Sequence, residues 1–370
     1  MGIQAGLVGL PNVGKSTLFN ALTKSSIPAE NYPFCTIDPH IAITFVPDKR
    51  LENLLSLYRS QKSVPATVTF VDIAGLVKGA ASGEGLGNQF LSHIREVDLI
   101  LHVLRCFEDP DIVYHGATID PLEDYHIITS ELMLKDIDSV IKRLERLERM
   151  VKAAQNKPAE QQELIIEQSF LKQVHAALER ADFTAVQKLL VGSGYKHLQL
   201  LCAKPFLIIA NVSEGELDAD QYQNNVHYKT LVNQFGANRV IPVSARAESE
   251  LSQLSEVEAE EMMGILGMTK RGLDRVIEQT YAYLGLITFF TCGPQEAHAW
   301  PIPTGLTVRQ AAGYIHSDLE KGFICAEVYN YKDIVKAGSE AKVKEQGLLR
   351  IEGQNYLIQD GDIIHVRFNV

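Results

Sequence analysis

The sequence predicts an α/β fold with a mostly parallel sheet, an inserted helical coiled-coil arm and a small carboxy-terminal α+β module. Three observations carry that expectation. Apolar runs at 3–8, 67–72, 99–104, 206–210 and 240–243 alternate with helix-forming stretches, as in a sheet whose strands are joined by helices. From about Thr129 to 203 the apolar residues recur at helical spacing instead. After residue 286, strand, helix and strands follow closely enough for a module of β-grasp type. The expected domains are 1–128, an insert at 129–203, a return to the sheet at 204–285, and 286–370.

The element on which the rest depends is Gly9-Leu10-Pro11-Asn12-Val13-Gly14-Lys15-Ser16, which satisfies G-x-x-x-x-G-K-[ST]. It follows the apolar run Ile3 to Val8 and precedes Thr17 to Leu22, giving the strand, loop and helix order that a phosphate loop requires. Backbone N–H groups of residues 12–17, Asn12 to Thr17, are expected to close around phosphate oxygens at a positive helix end. Lys15 is placed to reach the β and γ phosphates, and the Ser16 hydroxyl to ligate Mg²⁺. In the proline-bounded loop Asn31 to Pro39, Thr36 is the candidate hydroxyl that meets Mg²⁺ only when a γ-phosphate is present. The strand Thr67 to Asp72 ends in a carboxylate suited to a Mg²⁺-bound water, and Gly75 can offer its N–H to the γ-phosphate. Leu76 stands where Ras-type enzymes carry a water-orienting glutamine, so no strong activating residue is visible and hydrolysis is expected to be slow. The glycine-rich stretch Gly79 to Gly87 reads as a mobile loop or a disordered surface loop.

Length and composition narrow the class. The chain has 370 residues and an ordinary globular apolar content, enough for two or three domains. A net charge of −11 disfavours polyanion binding by the chain as a whole, leaving only local basic patches for that purpose. The five cysteines show no C-x-x-C spacing, so neither a disulfide framework nor a zinc site is expected, and a reducing cytoplasm fits. No window is apolar for the length of a membrane span, and a first strand beginning by Ile3 leaves no room for a signal peptide.

Further along, the strand Leu99 to Leu104 leads to a loop carrying Tyr114 and His115, and His115 is a candidate acid or base. Ile137, Val140, Leu144, Leu147 and Val151 mark a long amphipathic helix, broken at Asn156-Lys157-Pro158 and answered by Leu164, Leu171, Val174 and Leu178 on a returning helix. Arg143, Arg146, Arg149 and Lys152 form a basic face that either meets a partner or is the wet side of the helix. Phe206 to Ala210 is a fully apolar strand followed by Asn211-Val212-Ser213-Glu214, and Val240 to Val243 is another, followed by Ser244-Ala245-Arg246. Guanine switches carry Asn-Lys-x-Asp at the first position. Here Val212 replaces the lysine and the longer Glu214 the aspartate, which disfavours guanine and leaves adenine with less to lose. Near the end, Lys332, Lys336, Lys342, Lys344 and Arg350 cluster as an RNA contact or a solvated surface.

Taken together, Gly9 to Ser16, Thr36, Asp72 to Gly75, Asn211 to Glu214 and Ser244 to Arg246 resemble the five nucleotide motifs of Obg-related P-loop proteins. With the run Asn31 to Pro39, the segment Phe70 to Asn88, the helical insert and the terminal module, the chain resembles the YchF/Obg-like ATPase family over essentially its whole length. That resemblance implies a P-loop NTPase G domain with an inserted coiled-coil arm and a carboxy-terminal TGS domain. It implies an ATPase switch, associated with the ribosome or a ribosomal subunit, with a role in translation or stress responses. Asn12 sits where relatives coordinate potassium, which extends the cofactors from Mg²⁺ to K⁺. The family's catalytic histidine lies in the loop equivalent to 111–117, where an ungapped reading puts Tyr114, with His115 one later.

The expected site therefore comprises Lys15, Tyr114 and His115 for catalysis, and Ser16, Thr36 and Asp72 for the metal. Nucleotide binding falls to Asn12, Val13, Gly14, Lys15, Ser16, Thr17 and Gly75, with Asn211, Val212, Glu214, Ser244 and Ala245 around the base. The expected protein is a cytoplasmic monomer that binds ATP and no membrane. Two alternatives stand beside it: an Obg-type GTPase in ribosome assembly, and a nucleotide-gated scaffold with negligible turnover.

Overall fold

The computed structural model describes residues 3–24, 40–73, 93–114, 116, 118–191, 193–195 and 198–369. In chain order, β1 (Ile3–Val8) and α1 (Lys15–Lys24) flank the phosphate loop. They are followed by β2 (Ile41–Phe45), α2 (Lys49–Tyr58), β3 (Lys62–Val64), β4 (Thr67–Asp72) and β5 (Leu99–Arg105). The residues sort into two compact units, one of 4–21 with 71–268, the other of 1–3, 22–70 and 269–370.

In the first unit the arm follows β5. Helix α3 (Pro121–Ala153) starts earlier than the apolar stripe suggests, because Asp120 caps it and Pro121 fills its first turn. Asp120 Oδ1 accepts from the N–H groups of Leu122 and Glu123. The chain turns at Ala154 to Lys157 and re-enters helix at Pro158, forming α4 (Pro158–Glu179) and then α5 (Phe183–Leu190). The pairing is antiparallel, since Gln161 Nε2 donates to Val151 O while Arg143, one stage further back, meets Glu167 at 2.7 Å. Val140, Leu147, Leu171, Val174 and Leu178 form its buried seam, as the stripes anticipate. The arm is tied to the chain's return by buried Asp136, whose two oxygens accept from the N–H groups of Leu201 and Cys202, both at 2.9 Å. Burial raises the Asp136 carboxyl above its ordinary value, and those N–H groups oppose the rise.

The unit's sheet is parallel. β6 (Phe206–Asn211) lies beside β5, and after α6 (Val226–Phe235) comes β7 (Val240–Val243) beside β6, giving the order β1, β5, β6, β7. Leu7 faces Leu101, Val103 faces Ile209, and Ile209 faces Ile241. Such strands are apolar on both faces because helices cover both. The carboxyl end of β4 joins beside β1, where the Ile73 N–H donates to Leu7 O. Helices α7 (Ala245–Leu251) and α8 (Glu256–Ile265) complete the unit.

His102 is the polar residue in the middle of β5. It is 1% exposed, packs its ring on Tyr125 and Phe206, and has no hydrogen-bond partner for Nδ1 among the described residues. Burial pulls its pKa down to about 3, from an ordinary value of 6.5. The unfolded chain therefore takes up a proton below pH 6.5 that the folded chain refuses, so the stability linked to this residue is complete above pH 6.5 and lost as pH falls toward 3. The expected slope is about 1.4 kcal/mol per pH unit. Between pH 7 and pH 5 the unaltered chain should lose about 2 kcal/mol more than His102→Phe in denaturant unfolding; equal losses would refute the assignment.

The second unit opens on α9 (Gly272–Tyr283), which runs into the hairpin β8 (Leu286–Cys292) and β9 (Glu296–Pro303). Then come α10 (Val308–Ile315), α11 (Ser317–Lys321), β10 (Phe323–Asn330), α12 (Tyr331–Ala337), α13 (Glu340–Glu345), β11 (Arg350–Glu352) and β12 (Asp362–Phe368). The sheet order is β11, β10, β12, β8, β9, β3. Phe289, Ile302, Val308, Ala326, Val328 and Ile364 make its core.

The membership of β3 differs from the expected division at residue 286. The stretch from Asp48 to Val64 folds onto this sheet: β3 pairs in parallel with the start of β9, and Ser60 Oγ donates to Gly293 O. Arg50 bridges Asp48 and Asp360 and lies over the Phe290 ring, while the Tyr58 and Tyr329 hydroxyls meet. Because β3 ends opposite His298, the rest of β9 is an edge, which is where Pro301 and Pro303 are tolerated. Lys332, Lys336, Lys342, Lys344 and Arg350 are all exposed.

Candidate active site

The turn between β1 and α1 aims the positive end of α1 into open space, and the residue types follow from the backbone. Gly14 has φ +94°, and a Cβ there would stand 2.2 Å from Asn211 Nδ2, so only glycine fits. Asn12 takes φ 63°, a region asparagine tolerates, and its Nδ2 donates to Val113 O at 3.1 Å. A cavity of about 450 Å³ lies over this turn, lined by the residues from Gly9 to Thr17 except Val13, which is buried. A second of about 410 Å³ shares Asn12, Gly14 and Thr17 with it and extends to Asn211 through Glu214 and Ser244 through Arg246. The two volumes adjoin at the loop through these three residues, and each is of ligand size.

The nearly buried Lys15 ammonium is ion-paired with the Asp72 carboxylate. Ser16 and Thr17 are exposed at the mouth. Asn211 is a fastener rather than a free reader of the base: its Nδ2 donates to Val13 O and its Oδ1 accepts from the Ala245 N–H, both at 2.9 Å. The ends of β6 and β7 are held in register by the Val212 N–H donating to Val243 O. Ser244 caps α7 and is buried. Val212 and Glu214, the residues that depart from the guanine pattern, both line the second cavity.

The opposite wall of that cavity is Phe107, Glu108, Asp109 and Ile112, which the sequence reading did not single out. Their organiser is Arg105, 2% exposed at the end of β5. Its guanidinium donates to the carbonyls of Phe107, Asp109 and Ile112 at 3.0 to 3.1 Å and lies over the Phe107 ring. An arginine closing a strand that is apolar but for His102 was the available signal. Tyr114 closes the same loop. Its hydroxyl donates to Asp124 Oδ1 at 2.7 Å and accepts from the Asp120 N–H, and burial raises its pKa. The structure therefore directs this hydroxyl to the amino terminus of α3. Thr36, Gly75, Leu76 and His115 lie outside the described residues.

A phosphate loop on a parallel sheet, with a base pocket built from the ends of the next two strands, defines a P-loop nucleoside triphosphatase domain. A family model described as "50S ribosome-binding GTPase" matches residues 4–159, and one described as "Protein of unknown function (DUF933)" matches 286–369. The chain is 45% identical to the "Ribosome-binding ATPase YchF" of Bacillus subtilis (strain 168) and 43% identical to that of Escherichia coli O157:H7, each over 100% of both chains. The solved Schizosaccharomyces pombe YchF GTPase is 37% identical, with a TM-score of 0.85, covering 99% of this chain and 98% of its own. The chain belongs to the YchF family. Among the described residues no helix is long and apolar enough to cross a membrane.

Proposed function

We propose that this chain is a cytoplasmic, ribosome-binding ATPase that works as a slow conformational switch in translation or stress responses. The observation that carries the nucleotide reading is that the phosphate-loop cavity adjoins a pocket walled by Val212 and Glu214, with Asn12, Gly14 and Thr17 lining both. The ribosome reading rests on the relatives, which are named as ribosome-binding. Lys15 is the phosphate-binding cation. For that role it must leave Asp72 as nucleotide enters, and the carboxylate it vacates is then a hard oxygen donor. Such donors suit Mg²⁺, which would be held by Ser16 and Thr36, with Asp72 reaching it through water, and would neutralise charge on the phosphates. K⁺ would take the side-chain oxygen of Asn12, whose Nδ2 is turned to Val113. With Leu76 in place of glutamine and the Tyr114 hydroxyl engaged at Asp124, His115 is the group assigned to orient water.

The relatives are named both ATPase and GTPase, so base preference is the test that matters. Paired ATP and GTP titrations should favour ATP, and a tenfold preference for GTP would overturn the adenine reading in favour of an Obg-type GTPase. In the same assay His115→Ala should keep ATP affinity and lose turnover; unchanged turnover removes that assignment. Co-sedimentation with ribosomes in ATP and ADP tests the switch.

A further inference from the structure

The turn after β6 carries two acids with different duties. Glu216 is used within the turn: its Oε2 accepts from the N–H and hydroxyl of Ser213 at 3.0 and 2.7 Å, and its Oε1 accepts from Asn225 Nδ2 at 2.8 Å. Glu214 instead lines the purine cavity, and its Oε2 lies 3.8 Å from Arg246 Nε. Arg246, on the first turn of α7, lines the same cavity and is held from behind by Glu250, to which its Nε donates at 3.3 Å. The acid at the position that reads guanine is therefore already facing a cation.

The chemistry of the two purines makes this pairing consequential. Guanine presents N–H donors at N1 and at its 2-amino group, so an unpaired carboxylate at that edge binds it. Adenine presents a lone pair at N1 and no 2-amino group, so the same carboxylate repels it. A carboxylate neutralised by a guanidinium does neither. We propose that Arg246 is a specificity-determining residue, which draws Glu214 into an ion pair, withdraws guanine's acceptor and relieves the repulsion on adenine. The device works against the wrong ligand as much as for the right one. It rests on reading the cavity as the purine pocket.

The two ideas fail differently. Calorimetric titration of the full chain with ATP and with GTP, without turnover, is carried out on the unaltered protein, Arg246→Ala, Arg246→Lys and the double variant Arg246→Ala with Glu214→Gln. Arg246→Ala should bind GTP more tightly and ATP more weakly, lowering the ATP-to-GTP affinity ratio by roughly fivefold or more. Arg246→Lys should keep the ratio near that of the unaltered chain, and Glu214→Gln should abolish the gain in GTP binding. Equal losses for both nucleotides, or an unchanged ratio in Arg246→Ala, would overturn the role of Arg246 while leaving the pocket intact. An unaltered chain that binds neither nucleotide would overturn the purine reading itself.

Discussion

Lys15→Ala is expected to weaken ATP binding by roughly a hundredfold or more and to abolish turnover. The ammonium is nearly buried, its partner Asp72 is equally shielded, and the pair stands at the amino end of α1. A charge-assisted contact to phosphate in such a place contributes about 3 kcal/mol, which is that factor in affinity. The substitution also leaves the Asp72 carboxylate without this cation, so the nucleotide-free protein should lose stability as well. Titration calorimetry and a phosphate-release assay give the two readouts. If the alanine variant bound ATP as tightly as the unaltered chain, the phosphate would lie elsewhere.

Arg105→Ala should be the most damaging change away from the phosphate loop. One buried guanidinium satisfies three carbonyls and supports the Phe107 ring, so its loss orphans all three and opens a void. The expected cost is about 3 to 5 kcal/mol of stability. ATP affinity should fall with it, because Phe107, Asp109 and Ile112 form one wall of the base pocket. Lysine is no substitute, since a single ammonium cannot span carbonyls that a planar fork reaches together. Arg105→Lys should therefore also unfold at lower denaturant and bind ATP more weakly. A lysine variant matching the unaltered chain in both respects would show that the loop organises itself.

Local chemistry was legible in the sequence wherever spacing alone fixes geometry. The phosphate loop needs Gly14 at positive φ followed by a helix start, and the structure has both within consecutive residues. The arm needs only two apolar stripes and a proline between them, and Lys157 to Pro158 begins the returning helix as that pattern requires. Val212 and Glu214 could be named as lining a cavity because they directly follow a buried parallel strand, whose carboxyl end is where ligands bind in such sheets.

What escaped the sequence were the particular side-chain and strand pairings that no short-range pattern marks. Nothing local marks Tyr114 as a partner of Asp124, and its hydroxyl turns to the start of α3. Nothing local predicts that β3, a mere three residues, pairs with β9 and carries α2 onto the carboxy-terminal sheet. Nor does spacing reveal that Arg246 stands against Glu214, since the two sit on turns after different strands. The sequence by itself determined the phosphate loop, the arm and the altered base motif, because each is written in short-range periodicity and backbone preference. Only the tertiary structure decided which charges meet and which strand joins which sheet, because hydrogen bonds and ion pairs depend on distances through space that a linear order of residues does not contain.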